Sequence, residues 1–139
     1  MKRSELPSVR KIINLEKIVV GEILNVMIHP YGNFLRIASV HVGNKFPFQI
    51  IFGGSQSEKI GMKVAVALPG TLTHGGKLRK RKFRGLHSEA MICSMLELGI
   101  CKEGPDEIMS LPVDLLPGTP LKEVLPRIYR QSLSYSLRI

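Results

Sequence analysis

The sequence contains no tryptophan and only two cysteines, and its aromatic rings are limited to three Tyr and five Phe in 139 residues. Cys93 and Cys101 form no CxxC, and His29, His41, His74 and His87 show no HxxxH pairing, so no metal site is expected. Long apolar runs are missing too. The longest stretches without Asp, Glu, Lys or Arg, Ile23–Leu35 and Val64–Gly76, hold 13 residues each, too few to cross a bilayer as a helix. Met1-Lys2-Arg3-Ser4-Glu5-Leu6-Pro7 has basic residues but no apolar segment behind them, which excludes a secretory signal there. With nothing to mark secretion, the cysteines read as reduced thiols of a cytoplasmic protein. There is no G-x-S-x-G, P-loop, H-E-x-x-H or G-x-G-x-x-G. No catalytic residue and no cofactor is therefore expected.

One absence is local. No acid occurs between Glu58 and Glu89, where Lys59, Lys63, Lys77, Arg79, Lys80, Arg81, Lys82 and Arg84 supply eight positive charges. The whole chain carries +9 from 20 basic and 11 acidic residues. Removing that segment leaves 12 basic against 11 acidic residues, so one stretch holds nearly all the imbalance. A concentrated positive field implies a polyanionic partner, whether RNA, DNA or an anionic surface.

What remains is rich in strand signals. Ile18–His29 is β-branched and lacks helical periodicity, with Gly21 marking a bulge or sharp bend. His29-Pro30-Tyr31-Gly32-Asn33 is a turn by composition. Further strands are expected at Phe34–Val42, Phe46–Phe52, Lys63–Leu68, Ala90–Cys93 and Glu107–Leu111. Two S-x-x-E capping boxes, Ser55–Glu58 and Ser94–Glu97, are each followed by a glycine and predict brief helical turns. The pattern describes an all-β fold with small helical turns, a small barrel or sandwich, for which a five-stranded OB-fold barrel is the leading candidate. It occupies residues 17–125, behind an N-terminal flank at 1–16. Residues 126–139 form a tail in which Leu133, Tyr135, Leu137 and Ile139 alternate with polar residues. That alternation predicts an extra C-terminal strand, packed on the barrel or across a homodimer.

Lys77–Arg84 reads as one basic strand. Its apolar anchors Leu78 and Phe83 are five positions apart, so a bulge near Lys80-Arg81 is needed to turn both toward the core. Lys77, Arg79, Lys80, Arg81, Lys82 and Arg84 would then fan outward as RNA-binding residues. With few rings, and Phe83 assigned to the core, phosphate and ribose contacts are favoured over base stacking.

From Ile18 to Leu125 the chain resembles the tRNA-binding domain of bacterial phenylalanyl-tRNA synthetase β chains and of free-standing tRNA-binding proteins. The resemblance rests on Val19-Val20-Gly21, His29-Pro30, Gln49–Gly53, Lys63–Ala67, Lys82–Ser88, Met91–Ser94, Glu97-Leu98-Gly99 and Leu111-Pro112, in that order. It implies an OB barrel that meets the outer corner of tRNA, with Lys82, Arg84 and Ser88 on the nucleic-acid face. Two departures stand out. Tyr31-Gly32-Asn33-Phe34-Leu35 replaces the family's usual Asn-Ala-Asp-Lys-Leu, and Ala90 replaces a usual glycine. The expectation is a non-catalytic tRNA-binding module of protein biosynthesis, free-standing or within an aminoacyl-tRNA synthetase, with no membrane partner. A general single-stranded nucleic-acid binder and a peptide-binding export chaperone on the same barrel are the alternatives.

Overall fold

The computed structural model describes residues 10–32, 34–54, 58–100 and 107–125. Nine strands are named in it: β1 (Ile18–Ile28), β2 (Leu35–His41), β3 (Phe48–Gly53), β4 (Lys63–Ala67), β5 (Leu72–Thr73), β6 (Gly76–Lys77), β7 (Arg81–Phe83), β8 (Leu86–Ser88) and β9 (Met91–Ile92). A short helix covers residues 121–125. The antiparallel order β3-β2-β1-β4-β9 makes the wall of the barrel.

The first strand is long because it serves two neighbours. Its N-terminal half pairs with β4, from Ile18 opposite Ala67 to Glu22 opposite Lys63. Its remainder pairs with β2, from Glu22 opposite His41 to Ile28 opposite Arg36. The ladder slips between Ile23 and Asn25, so the bulge falls on Leu24 and not on Gly21. Gly21 has a different task. A Cβ there would lie 2.6 Å from Val66 Cγ2 and 2.7 Å from Val40 Cγ1, so the strand bends where only hydrogen fits.

All five residues of β4 are buried, including Lys63. The alternation of a strand explains this. Val64 and Val66 join Ile23, Val40, Ile50, Phe52 and Ile92 inside the barrel. Ala65 and Ala67 join Ile18, Val20, Leu78, Leu111, Leu115 and Leu121 in a second apolar layer outside it. Lys63 is buried because Nζ donates to the Val113 carbonyl at 2.7 Å and lies 3.6 Å from Glu22 Oε1.

The barrel closes between β3 and the β8–β9 corner largely through side chains. Ser88 Oγ accepts the Ile51 N–H at 2.9 Å and donates to the Ala90 carbonyl at 3.0 Å. Gln49 accepts the Glu89 N–H at its carbonyl, donates its own N–H to Glu89 Oε1, and donates Nε2 to the His87 carbonyl.

Several expected elements differ in detail. Residues 107–111 make two isolated bridges, Ser94 to Ile108 and Lys63 to Leu111, where a continuous strand was expected. The Ser94 capping box forms in both directions: Ser94 N–H donates to Glu97 Oε1, and Glu97 N–H donates to Ser94 Oγ. The other capping box begins at residues 55–57, which lie outside the described residues. So does the whole tail expected to form a C-terminal strand.

Candidate nucleic-acid interface

The basic segment is not one bulged strand. It is split between two ribbons inserted between β4 and β9. Lys77 ends the β5–β6 hairpin, and Arg81 and Lys82 begin the β7–β8 hairpin. Leu78, Arg79 and Lys80 form the irregular link between them. Leu78 is buried, but in the outer apolar layer, while Phe83 is half-buried. In place of the expected bulge there is a change of partner, and only Leu78 of the two anchors reaches a core cluster. Lys77, Arg79, Lys80, Arg81, Lys82 and Arg84 are all exposed.

The turn joining β7 to β8 is strained in an informative way. Arg84 has φ +52° and Gly85 φ +88°. A two-residue loop with both angles positive suits the twist of a tight hairpin, and Asn or Gly is the usual first residue. Arginine is there at a backbone cost of about 1 kcal/mol.

Ser88 differs from the six cations. It is 4% exposed and its hydroxyl is occupied at the barrel seam, so it positions the β7–β8 ribbon from below. The resemblance placed it on the binding face, but the loss of a ladder bond at Ile51 is what this hydroxyl makes good.

Two residues escaped the sequence reading. The chain from Arg10 to Ile13 lies along the β5–β6 hairpin: His74 N–H donates to the Lys11 carbonyl, and Ile13 N–H to the Leu72 carbonyl. Its other edge is held by Glu97, whose Oε2 accepts the Arg10 N–H at 3.0 Å and whose carbonyl accepts the Ile12 N–H at 2.9 Å. Arg10 rests on bare backbone. Its Nη2 donates to the Gly76 carbonyl at 3.3 Å, and a Cβ on Gly75 would lie 3.1 Å from its Nε. Arg10 and Lys11 therefore join His74, Lys77, Arg79, Lys80 and Arg81 around a groove of about 950 Å³. Among the described residues, no acidic side chain lines it. Backbone hydrogen bonds place the flank, and these carry no side-chain pattern that a sequence could show.

A second loop reaches the same region. His29, 2% exposed, ends the β1 side of the β1–β2 hairpin. Its Nε2 lies 2.8 Å from the Phe83 carbonyl, and its Nδ1 is 3.0 Å from the Tyr31 backbone nitrogen. A carbonyl can only accept and an amide N–H can only donate. The imidazole is therefore neutral, with its proton on Nε2. The Arg81 guanidinium sits 5.2 Å from the centre of the Phe83 ring.

A small barrel with a cationic groove beside the loops that follow β1 and β4 defines an OB-fold nucleic-acid-binding domain. Residues 18–120 match the family model described as "Putative tRNA binding domain", and the chain belongs to that family. It is 40% identical over 109 residues to the phenylalanine–tRNA ligase β subunit of Pseudoalteromonas translucida (strain TAC 125), an alignment covering 78% of this chain and 14% of that protein. It is 39% identical over 119 residues to the same subunit of Lactiplantibacillus plantarum, covering 81% and 15%. The chain thus spans about one seventh of the curated relatives it matches. Among solved structures, the C-terminal domain of Plasmodium vivax p43 superposes with a TM-score of 0.56 at 20% identity, over 76% of this chain and 59% of that one. A MetRS-related protein from Pyrococcus horikoshii gives 0.54 at 16% identity, over 73% and 85%. At these identities the two structures speak to the fold alone.

Proposed function

We propose that this tRNA-binding domain holds folded tRNA by its phosphates, along the groove between the N-terminal flank and the two basic ribbons, without catalysing a reaction itself. The observation that carries this reading is the groove lined by Arg10, Lys11, Lys77, Arg79, Lys80 and Arg81, with no acid among the described residues that line it. Lys82 and Arg84 lie outside that lining, exposed on the β7–β8 ribbon. Such a surface reads the spacing of phosphates, which folded tRNA fixes and a flexible strand does not. The relatives favour a setting in protein biosynthesis, in the cytoplasm, as a module of a phenylalanyl-type aminoacyl-tRNA synthetase or as a protein acting in trans. Pairing of two copies through the alternating tail belongs to the same proposal, supported by the sequence pattern of Ser132–Ile139. Sedimentation of a chain ended after Pro126 tests it: a dimer in the full chain should become a monomer.

The binding test is a salt titration with deacylated tRNA. Affinity should fall steeply as salt rises, through counterion release. A Lys80→Ala/Arg81→Ala/Lys82→Ala/Arg84→Ala variant should stay folded and flatten the log–log slope by roughly three units. Undiminished affinity and slope in that folded variant would overturn the proposal.

A further inference from the structure

Scarce aromatic residues lead one to expect no stacking platform, yet the hairpin tip nearest the basic ribbon exposes its rings. Tyr31 is 72% exposed and Phe34 59%. Both sit in the β1–β2 loop. Leaving two large apolar side chains in water at one turn has no folding benefit, since the tip closes through backbone bonds. Leu35 N–H donates to the Gly32 carbonyl, and His29 N–H to the Leu35 carbonyl.

Tyr31 is linked to the basic ribbon through His29. The Tyr31 ring stands edge-on to the His29 ring, with centroids 6.2 Å apart and planes at 69°. His29 is bound to the Phe83 carbonyl, and Phe83 carries the Arg81 guanidinium that lines the groove. A continuous path therefore runs from phosphate-binding side chains to an exposed ring in four residues. An OB barrel tracks about 4–16 nucleotides of backbone, ample to cover both.

We infer that Tyr31, with the exposed Phe34 in the same β1–β2 turn, is a base-stacking subsite for unpaired nucleotides of the RNA whose phosphates occupy the basic groove. This rests on the RNA-binding reading above and adds a preference to it: the bound RNA must present unstacked bases next to a phosphate track. Every base has a π-face, so the subsite selects for unpaired structure and is indifferent to sequence.

The test uses the full chain and three RNAs with equal numbers of phosphates: a stem with an unpaired loop, the same stem with an abasic loop, and a blunt duplex. The parent should bind the loop-bearing stem roughly tenfold or more tightly than the abasic one. Tyr31→Ala should remove that preference without changing the salt slope, and Tyr31→Phe should keep it. With no native tryptophan, Tyr31→Trp supplies a single emitter, which should be quenched by the loop and not by the abasic stem. If RNA binds with a steep salt slope but all three RNAs bind parent and Tyr31→Ala alike, this inference fails and the phosphate reading stands. If no RNA binds at any salt, both fail. A Tyr31→Ala loss shared equally by duplex and loop would make the residue a support for the turn, and a tip whose rings instead mediate protein association would leave all RNA affinities unchanged; each result overturns the subsite.

Discussion

His29 Nε2 and the carbonyl oxygen of Phe83 are 54 residues apart in the chain and 2.8 Å apart in space. That bond ties the loop after β1 to the ribbon inserted after β4, so two loops that could move separately form one surface. His29→Ala removes the donor, strands the Phe83 carbonyl and opens a void in a buried site. It should lower stability by about 2–3 kcal/mol in urea denaturation. The expected functional mark is a lost coupling: in His29→Ala, effects of Tyr31→Ala and Arg81→Ala on RNA affinity should become additive, as a double-mutant cycle would show.

Asn accepts a positive φ more readily than Arg, so Arg84→Asn should relieve about 1 kcal/mol of backbone strain, set against loss of the side chain's own contacts. The same substitution should weaken tRNA binding and reduce the salt slope by roughly one unit. A parallel loss of melting temperature and affinity would show that the side chain supports the hairpin.

Ser88 should behave in the opposite sense. Ser88→Ala leaves the buried Ile51 N–H without its acceptor, at about 1–3 kcal/mol. Affinity per folded molecule should change little, and the salt slope should not change. Amide exchange at Ile51 should quicken far more than at Val20 in β1, across the barrel from the seam.

Burial pushes the Cys93 thiol far above its ordinary value of 9.0, and the nearby Glu97 carboxylate adds to the shift. Native Cys93 therefore stays protonated and inert. The sign follows from linkage. The unfolded chain gives up this proton near pH 9 while the native one keeps it, so the contribution is intact below pH 9 and is lost as pH rises beyond it. In a Cys101→Ser background, a thiol reagent at pH 8 should label the protein only on unfolding. Cys93→Ala should flatten the alkaline loss of stability relative to that parent.

Much of this fold is legible from side-chain alternation. The first four barrel strands follow directly, because each has one face in the barrel and β-branched residues to fill it. Ser94 and Glu97 announce their helical turn because capping needs those chemical types at that spacing. The basic stretch is harder. Leu78 and Phe83 at a spacing of five satisfy one bulged strand or two ribbons equally, and only the pairing partners decide. At Gly21, open to a bulge or a sharp bend, the sequence shows a missing side chain but not the Val40 and Val66 methyls that require it. Arg10 and Lys11 were passed over because their place depends on backbone bonds to residues 72, 74 and 97. Tyr31 was discounted by counting rings, and the count says nothing about which of them the core leaves outside.

The seam at Ile51 and Ser88 has a consequence for how such a domain can change over time. Residues 71–88 leave the barrel after β4 and rejoin it at β9, and their hold on the β3 edge depends on a few side chains, one of them a hydroxyl. The ladder from β3 through β1 to β4 makes no use of their charges. Lengthening a ribbon, or exchanging a lysine for a neutral residue there, alters what is gripped while the scaffold keeps its register. The insert behaves as an interchangeable fitting on a fixed mount, and a lineage can retune its RNA without having to reinvent its barrel.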